Sequence, residues 1–403
     1  MVWKSKEPIL IMILRILLGC VFIYSGLTKA IDPVGTAYTF DGYFFSFRMS
    51  FLQIFSTFAA FVMPMIEFGL GVMMLLKIKM KLTSILYLIM MSFFLLLTAW
   101  LALAEHLEIK YHYNLGVVKD CGCFGAAIKL SNLQTFLKNV VIIIPTLIIF
   151  FKRKSIPDIR MTELGKWLMV GITCCSCLIL EAHCYRHLPI KDYSDWKIGT
   201  DLTQDYIDQD LKTKSLYIYQ DTINHKTIEI TEDELMKMYE TEEGSAYAES
   251  LEYVGDKTDT IQKFKRAMNY NFTMEDAESN DLKSNLLSKE NEKPLYLLFI
   301  YDLDEVNMEG LQSENLAKII NYCKDNDCDF YAITNTPRAE INKFIKEHKI
   351  PYEILCCSYY DAAKGPYFVR DAIHSSPGLF KIEKGVITGK WAWRDFGKVK
   401  SEK

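Results

Sequence analysis

The stretch "RILLGCVFIYSGLTKAIDP", residues 15–33, decides how the chain begins. It belongs to an apolar run from Ile9 to Ala30 whose only charged residues are Arg15 and Lys29. A helix needs about 20 mostly apolar residues to cross the hydrocarbon core of a bilayer, so this run reads as a transmembrane helix. It is too long for the apolar part of a signal peptide and has no small-x-small cleavage site, which makes it a retained anchor. Four more segments qualify: Leu52–Leu76, Leu82–Ala104, Leu133–Phe151 and Trp167–Cys184.

Beyond Cys184 the character changes. The 403-residue chain is 50% hydrophobic, yet from His187 onward it is an ordinary charged sequence. The net charge of −4 comes with no basic block, and acids outnumber bases between Thr200 and Lys293. Nucleic-acid binding needs a basic footprint and is excluded as a reading. The partner that composition implies is the lipid bilayer.

Orientation follows from basic residues in short loops, which favour the cytoplasmic side. Lys4 and Lys6 precede the first span, Lys77, Lys79 and Lys81 separate the second from the third, and Lys152, Arg153, Lys154 and Arg160 separate the fourth from the fifth. Five spans then place the loop between the third and fourth spans, and everything after Cys184, on the outer side. For a bacterial inner membrane that side is the periplasm.

Charges inside apolar runs are expensive and usually paired. Arg15 and Glu67 lie at similar depth when counted from the cytoplasmic ends of their helices, so an ion pair between them is expected. Pro64 and Pro145 are expected to bend their helices. After the first span, "TAYTFDGYFFSFRMSFLQIF" carries six aromatics between Tyr38 and Phe47. Aromatics concentrate at membrane interfaces. The segment reads as an interfacial stretch leading into the second span, or as the wall of a lipid or quinone pocket.

The outer loop contains "DCGCFG", residues 120–125. A disulfide between Cys121 and Cys123 would close a very small ring, and strained disulfides are easily reduced. The pair suits an oxidant or shuttle better than a structural staple, and an outer location is where disulfides persist. A metal is the second reading, with His106 and His112 beside Cys121 and Cys123. Cys-x-Cys is tighter than ordinary zinc spacing, so no metal site is assigned. The third reading is inert packing of the loop on the bundle. Cys174, Cys175, Cys177 and Cys184 in the fifth span read as small buried hydrophobes.

Together, "RILLGCVFIYSGLTKAIDP", the Pro-x-x-Glu of Pro64–Glu67 and "DCGCFG" resemble the DoxX/MauE group of redox-associated membrane proteins, over roughly residues 8 to 151. The resemblance implies a four-helix membrane core and a role in forming or handling disulfides in exported partners. That core is similar to vitamin K epoxide reductase-like enzymes, which pass electrons to quinone, so quinone is the one cofactor implied.

The C-terminal half has its own order. "SLYIYQ" and "KTIEIT" read as strands, and Thr231 with Glu234 has capping-box spacing. From Lys293 the pattern is β-α-β-α-β-α-β-β, with a hairpin at Glu383-Lys384-Gly385. "SSPGLFKIEKGVITGKW" resembles the end of a thioredoxin-like fold, which puts Pro377 at the cis-proline position. The Cys-x-x-Cys of that fold is missing, because the segment after Leu295–Ile300 reads "YDLDEVNMEG". The thiolate is the nucleophile in disulfide exchange, so this domain is not expected to do dithiol chemistry there. A Cys323–Cys328 bridge is the alternative use of its thiols. The whole plan resembles multi-domain DoxX family proteins of Bacteroidetes-type bacteria.

The sequence thus divides into a DoxX/MauE-like membrane domain (1–155), a fifth transmembrane helix (156–186), an exported linker with a small α+β region (187–292), and a thioredoxin-like domain without Cys-x-x-Cys (293–403). The preferred function is thiol-disulfide exchange with an exported client through Cys121 and Cys123. The alternative is a non-catalytic membrane scaffold or assembly factor. A transporter would rest only on Arg15 and Glu67.

Overall fold

Arg15 and Glu67 report first on how the helices meet, and they correct one expectation. The computed structural model describes residues 7–111, 118, 122–128, 130–203, 213–221, 226–239, 241, 245, 247, 248, 250–260, 273–357 and 368–399. Among these, five helical segments are long and apolar enough to cross a membrane. They are α1 (Ile9–Ala30), α3 (Ser56–Leu76, preceded by the 3-10 turn Ser50–Phe55), α4 (Met80–Tyr111), α5 (Asn132–Lys152) and α6 (Glu163–Arg186). Between α1 and α3 lies α2 (Pro33–Ser46).

The antiparallel helices α1 and α3 approach closely where glycines remove side chains. A Cβ on Gly26 would lie 2.6 Å from the Phe68 amide nitrogen, and one on Gly71 would lie 2.6 Å from that of Ile23. Small residues serve membrane helix packing in this way, since lipid offers no hydrophobic drive for helices to associate. This register sets Arg15 against the end of α3. Its guanidinium bonds Glu7 at 2.9 Å and donates to the carbonyls of Met74 and Leu75 at 2.9 and 2.5 Å. Those carbonyls belong to the last turn of α3, where no backbone donor follows. Glu67 sits about 12 Å further along α3, at 1.5 Å per residue. The expected Arg15–Glu67 pair therefore does not form. Counting depth from the helix ends failed because α1 starts beyond the point where α3 stops.

The interfacial stretch is the helix α2. Asp32 caps it by accepting from the Gly35 amide at 3.0 Å, and Pro33 fills its first position, where its missing N–H costs nothing. A capping box of Ser131 and Gln134 starts α5, and Thr162 caps α6. Pro64 and Pro145 lie inside α3 and α5. Across α4 and α5, Asn139 donates to Thr98 Oγ1 at 3.1 Å.

Beyond α6 the chain forms two sheets. The strands β1 (Thr213–Asp221), β2 (Lys226–Thr231) and β3 (Leu251–Thr260) form an antiparallel sheet in the order β2-β1-β3. The capping box at Thr231 is present, and the helix Glu232–Met238 follows it. The second sheet contains β4 (Leu295–Ile300), β5 (Asp329–Thr334), β6 (Glu353–Cys356), β7 (Gly378–Glu383) and β8 (Val386–Ala392), in the order β6-β5-β4-β7-β8. β4, β5 and β6 run parallel, β7 runs antiparallel to β4, and β8 runs antiparallel to β7. All six residues of β4 are buried, as a strand covered on both faces requires. The helices Glu314–Asp325 and Arg338–His348 supply apolar residues to the core on one side of the sheet. The element order read from the sequence is the order observed.

Two details of the C-terminal half differ from the reading of the sequence. Residues 187–202 are a strap packed into the second sheet. Trp196 is buried against Phe299 and Phe380, and Leu202 donates its amide to the Gly385 carbonyl at 2.7 Å. Cys323 and Cys328 are separate thiols, not a bridge. The Cys323 side chain is turned into the core below the sheet, where burial pushes its pKa up to about 12.

Candidate functional site

Where α1 ends, four groups converge. Lys29 Nζ donates to both Glu67 carboxylate oxygens, at 2.9 and 2.7 Å, and to Ser25 Oγ at 2.9 Å. Ser25 Oγ lies 2.7 Å from Glu67 Oε2 and 2.7 Å from the Cys123 carbonyl oxygen. Its single proton serves one of these acceptors at a time. The network therefore ties α1, α3 and the Cys-Gly-Cys loop together. Ser25 and Lys29 are four apart on one helix face, as the 3.6-residue period requires. Lys29 was visible in the sequence as a charge at the edge of the first span, but no role was assigned to it. Its spacing from Ser25 was the available signal.

The loop is held from its other side as well. Gly122 adopts φ +62°, and a Cβ there would lie 2.8 Å from Thr39 Cγ2 of α2. Both the left-handed backbone and the close approach require glycine. Cys123 packs with Tyr43, Leu101, Phe47, Leu97 and Val118. Cys121, His112 and Asp120 lie outside the described residues. No group of three metal-ligating side chains occurs among the described residues.

Cys123 lines a cavity of about 990 Å³. Its walls come from α2 (Phe40, Tyr43, Phe44), α3 (Met63, Glu67), α4 (Phe93, Phe94, Leu97, Trp100), the outer loop (Gly122, Cys123, Gly125), the strap (Ser194, Asp195, Trp196) and the helix Phe368–Ala372 with the residues after it (Arg370, Asp371, His374). The aromatic segment after the first span thus forms a pocket wall.

The C-terminal region closes this cavity from above. His374 Nδ1 lies 2.7 Å from Asp32 Oδ1. Arg370 stacks over the Tyr38 ring at 3.7 Å and faces Asp41 at 3.9 Å. Behind this contact, Tyr301 donates from its hydroxyl to the Ile373 carbonyl and from its amide to Ser376 Oγ at 3.2 Å. The Ser376–Pro377 peptide bond is cis. The strap is fastened by Lys390 to Asp192 at 2.6 Å and by His187 to Asp395 at 2.8 Å. The segment after β4, which lacks cysteine, meets the Ser376–Pro377 turn through the Tyr301 amide.

Burial alone would raise the pKa of Asp32 and lower that of His374, but each offsets this for the other. The charge and hydrogen bond of His374 hold Asp32 below its usual range, and Asp32 holds His374 above its own. Lys390 opposes the charge on His374, and Asp371 supports it. The docking contribution of the pair is therefore complete above about 3.8, the ordinary value for Asp32, and below about 6.5, that for His374. It fades as pH rises through the raised pKa of His374, and on the acid side as pH falls through the lowered pKa of Asp32. Once the base-catalysed rise of intrinsic amide exchange is divided out, hydrogen exchange in α2 should accordingly increase above neutral pH. In Asp32→Asn that increase should vanish or move to lower pH; an unchanged profile would rule out the pair as the titrating contact.

Residues 7–152 match the family model for methylamine utilisation protein MauE. The match spans α1 to α5 and includes the Cys-Gly-Cys loop. No curated protein matches the chain. Among solved structures, the C-terminal domain of a candidate thiol-disulfide oxidoreductase from Bacteroides thetaiotaomicron is similar. That similarity covers 29% of this chain and 80% of that one, at 16% identity and a TM-score of 0.23.

Proposed function

We propose that this protein is a redox-associated membrane protein whose Cys121 and Cys123 exchange disulfides with an exported partner. The observation that carries this reading is the position of Cys123. It lines the cavity between the apolar helices and the C-terminal region, on a loop anchored by Ser25, Lys29 and Glu67. The MauE match over the same segment supports a membrane function linked to redox chemistry, and the basic flanks support an outer, periplasmic location for the loop.

In the proposed step a partner thiolate attacks one sulfur of the Cys121–Cys123 disulfide. That S–S bond breaks and a mixed disulfide forms. The second partner thiol then closes the partner's own disulfide and releases the loop as a dithiol. Two electrons and two protons pass from partner to loop. The C-terminal domain is read as thioredoxin-like from its strand and helix order. Without a cysteine after β4, its part is to bind and orient.

With the exchange run in reverse, the Cys121 thiolate of a Cys123→Ser variant should break the disulfide of the oxidised partner and keep one partner sulfur as a mixed disulfide, because no second loop thiol releases it; the adduct should survive alkylation and non-reducing electrophoresis. The adduct should vanish in Cys121→Ser/Cys123→Ser. If no adduct forms and both wild-type thiols stay reduced in growing cells, the exchange reading fails. A stable partner complex with the double variant would then identify a scaffold.

A further inference from the structure

The two helices joined by the shortest turn part from each other on the side that faces lipid. α3 ends at Leu76 and α4 starts at Met80, yet α3 packs mainly on α1 and α4 mainly on α5. Met63 of α3 and Phe93 of α4 both line the cavity, each about 20 Å along its helix from that turn at 1.5 Å per residue. Trp100 lines it about 30 Å along α4. The hydrocarbon core is about 30 Å thick. The gap therefore opens within the leaflet on the side of the C-terminal region, with Trp100 at the polar edge, where tryptophan concentrates. Phe93, Leu96 and Trp100 are 52%, 73% and 48% exposed although they belong to the cavity wall. A ligand passing between them comes from hydrocarbon, not from water.

We propose that the cavity binds one phosphatidylethanolamine molecule of that leaflet, with an acyl chain between α3 and α4 and the ammonium among the carboxylates beneath the C-terminal region. The site is independent of the exchange reading. Phe44, Met63, Phe93, Leu96 and Leu97 give an acyl chain apolar contacts, and about 990 Å³ is at the upper end of small-molecule sites. The chain gains little by leaving the bilayer, because lipid tails are as apolar as this wall. Affinity and selectivity therefore come from the polar end.

That end is unevenly charged. Lys29, Arg370 and His374 line the cavity together with Asp32, Glu67, Asp195 and Asp371. Even with His374 protonated, carboxylates outnumber cations. The balance disfavours a net anionic headgroup such as phosphatidylglycerol and favours one that brings its own cation. The cations of the wall suit the phosphate, which every phospholipid has; the surplus of carboxylate suits only the ammonium. A carboxylate accepts at about four sites, so one that already has a partner still takes a further N–H. The primary ammonium of ethanolamine offers three donors, as a lysine does, and the trimethylammonium of choline offers none.

The full chain would be placed in phosphatidylcholine nanodiscs containing phosphatidylethanolamine with a photoreactive diazirine on one acyl chain, and the labelled residues mapped by peptide mass spectrometry. Labelling beside the cavity on α2 and α4 is expected to saturate at a low mole fraction of probe, although the host lipid competes in excess. Unlabelled phosphatidylethanolamine should displace the probe at least tenfold more effectively than phosphatidylglycerol. Gly42 lines the cavity within α2, and a Cβ there would meet only Val118 Cγ2, at 3.8 Å. Gly42→Phe should therefore fill the space and lower the labelling at least tenfold. Leu96→Trp, at an exposed position of the mouth, should lower it as well, which covers poor folding of the first variant. Asp195→Asn/Asp371→Asn should label the same residues but need at least tenfold more probe to saturate. Labelling that never saturates, or that survives undiminished in folded Gly42→Phe and Leu96→Trp, would reduce the site to ordinary bilayer contact and overturn it. Equal displacement by phosphatidylglycerol, or unchanged saturation in Asp195→Asn/Asp371→Asn, would overturn the assignment of the ammonium headgroup.

Discussion

Glu67→Gln should lower the stability of the membrane part by about 3–5 kcal/mol, the range for removing one partner of a buried ion pair. On unfolding in detergent this corresponds to a Tm lower by about 10 °C. Glu67 is 1% exposed and the Lys29 side chain 10%. In the variant the Lys29 ammonium keeps Ser25 Oγ and a 6.0 Å approach to the Phe94 ring, but no carboxylate. Lys29→Met should cost a similar amount for the converse reason, since it strands a buried carboxylate with one hydroxyl. Lys29→Met/Glu67→Met should recover much of the loss, because replacing both charges removes the desolvation penalty along with the attraction. The same network reaches the Cys123 carbonyl through Ser25, so either single variant should also speed maleimide labelling of Cys123. Single variants with wild-type Tm and labelling would mean that the pair neither holds α1 to α3 nor positions the loop.

How legible this network was depends on which physical signal a residue carries. Five spans could be read because apolar length is a property of one segment and needs no partner. The order of elements after Lys293 was legible for a related reason: β4 is a continuous apolar run, and the flanking helices repeat at helical period. The pairing of Arg15 and Glu67 was not legible, since it depends on the offset between two antiparallel helices. Gly26 and Gly71 set that offset, and neither marks its own partner in the sequence. The cavity combines both cases. Its aromatic wall on α2 was visible as composition. The docking of His374 on Asp32, 342 positions apart, joins two parts of the chain through no local signal. Lys29 was hidden in a different way, because a lysine at a helix end has an ordinary explanation that needs no carboxylate.

The glycines lead to the second large effect. Gly26→Leu should prevent α1 from seating on α3, with loss of monodisperse protein in detergent and rapid proteolysis in membranes. A Cβ at this position falls 2.6 Å from the Phe68 nitrogen and 2.7 Å from the Pro64 oxygen. Both are backbone atoms, so no side-chain rotation can relieve the contact, and overpacking costs of order 1–3 kcal/mol even where neighbours can adjust. Moving α1 away also stretches every bond across this interface. The donation from Arg15 to Met74 and Leu75 would weaken at one end, and the contacts of Lys29 and Ser25 with Glu67 at the other. Gly71→Leu should behave alike, because its Cβ would lie 2.6 Å from the Ile23 nitrogen. Gly171→Leu in α6 is the control, since a Cβ there meets nothing within 4 Å. If all three variants behave alike, the loss reflects glycine replacement in a membrane helix in general. If only Gly26→Leu and Gly71→Leu fail, close contact of α1 with α3 is what holds Ser25, Lys29 and Glu67 beneath the Cys-Gly-Cys loop.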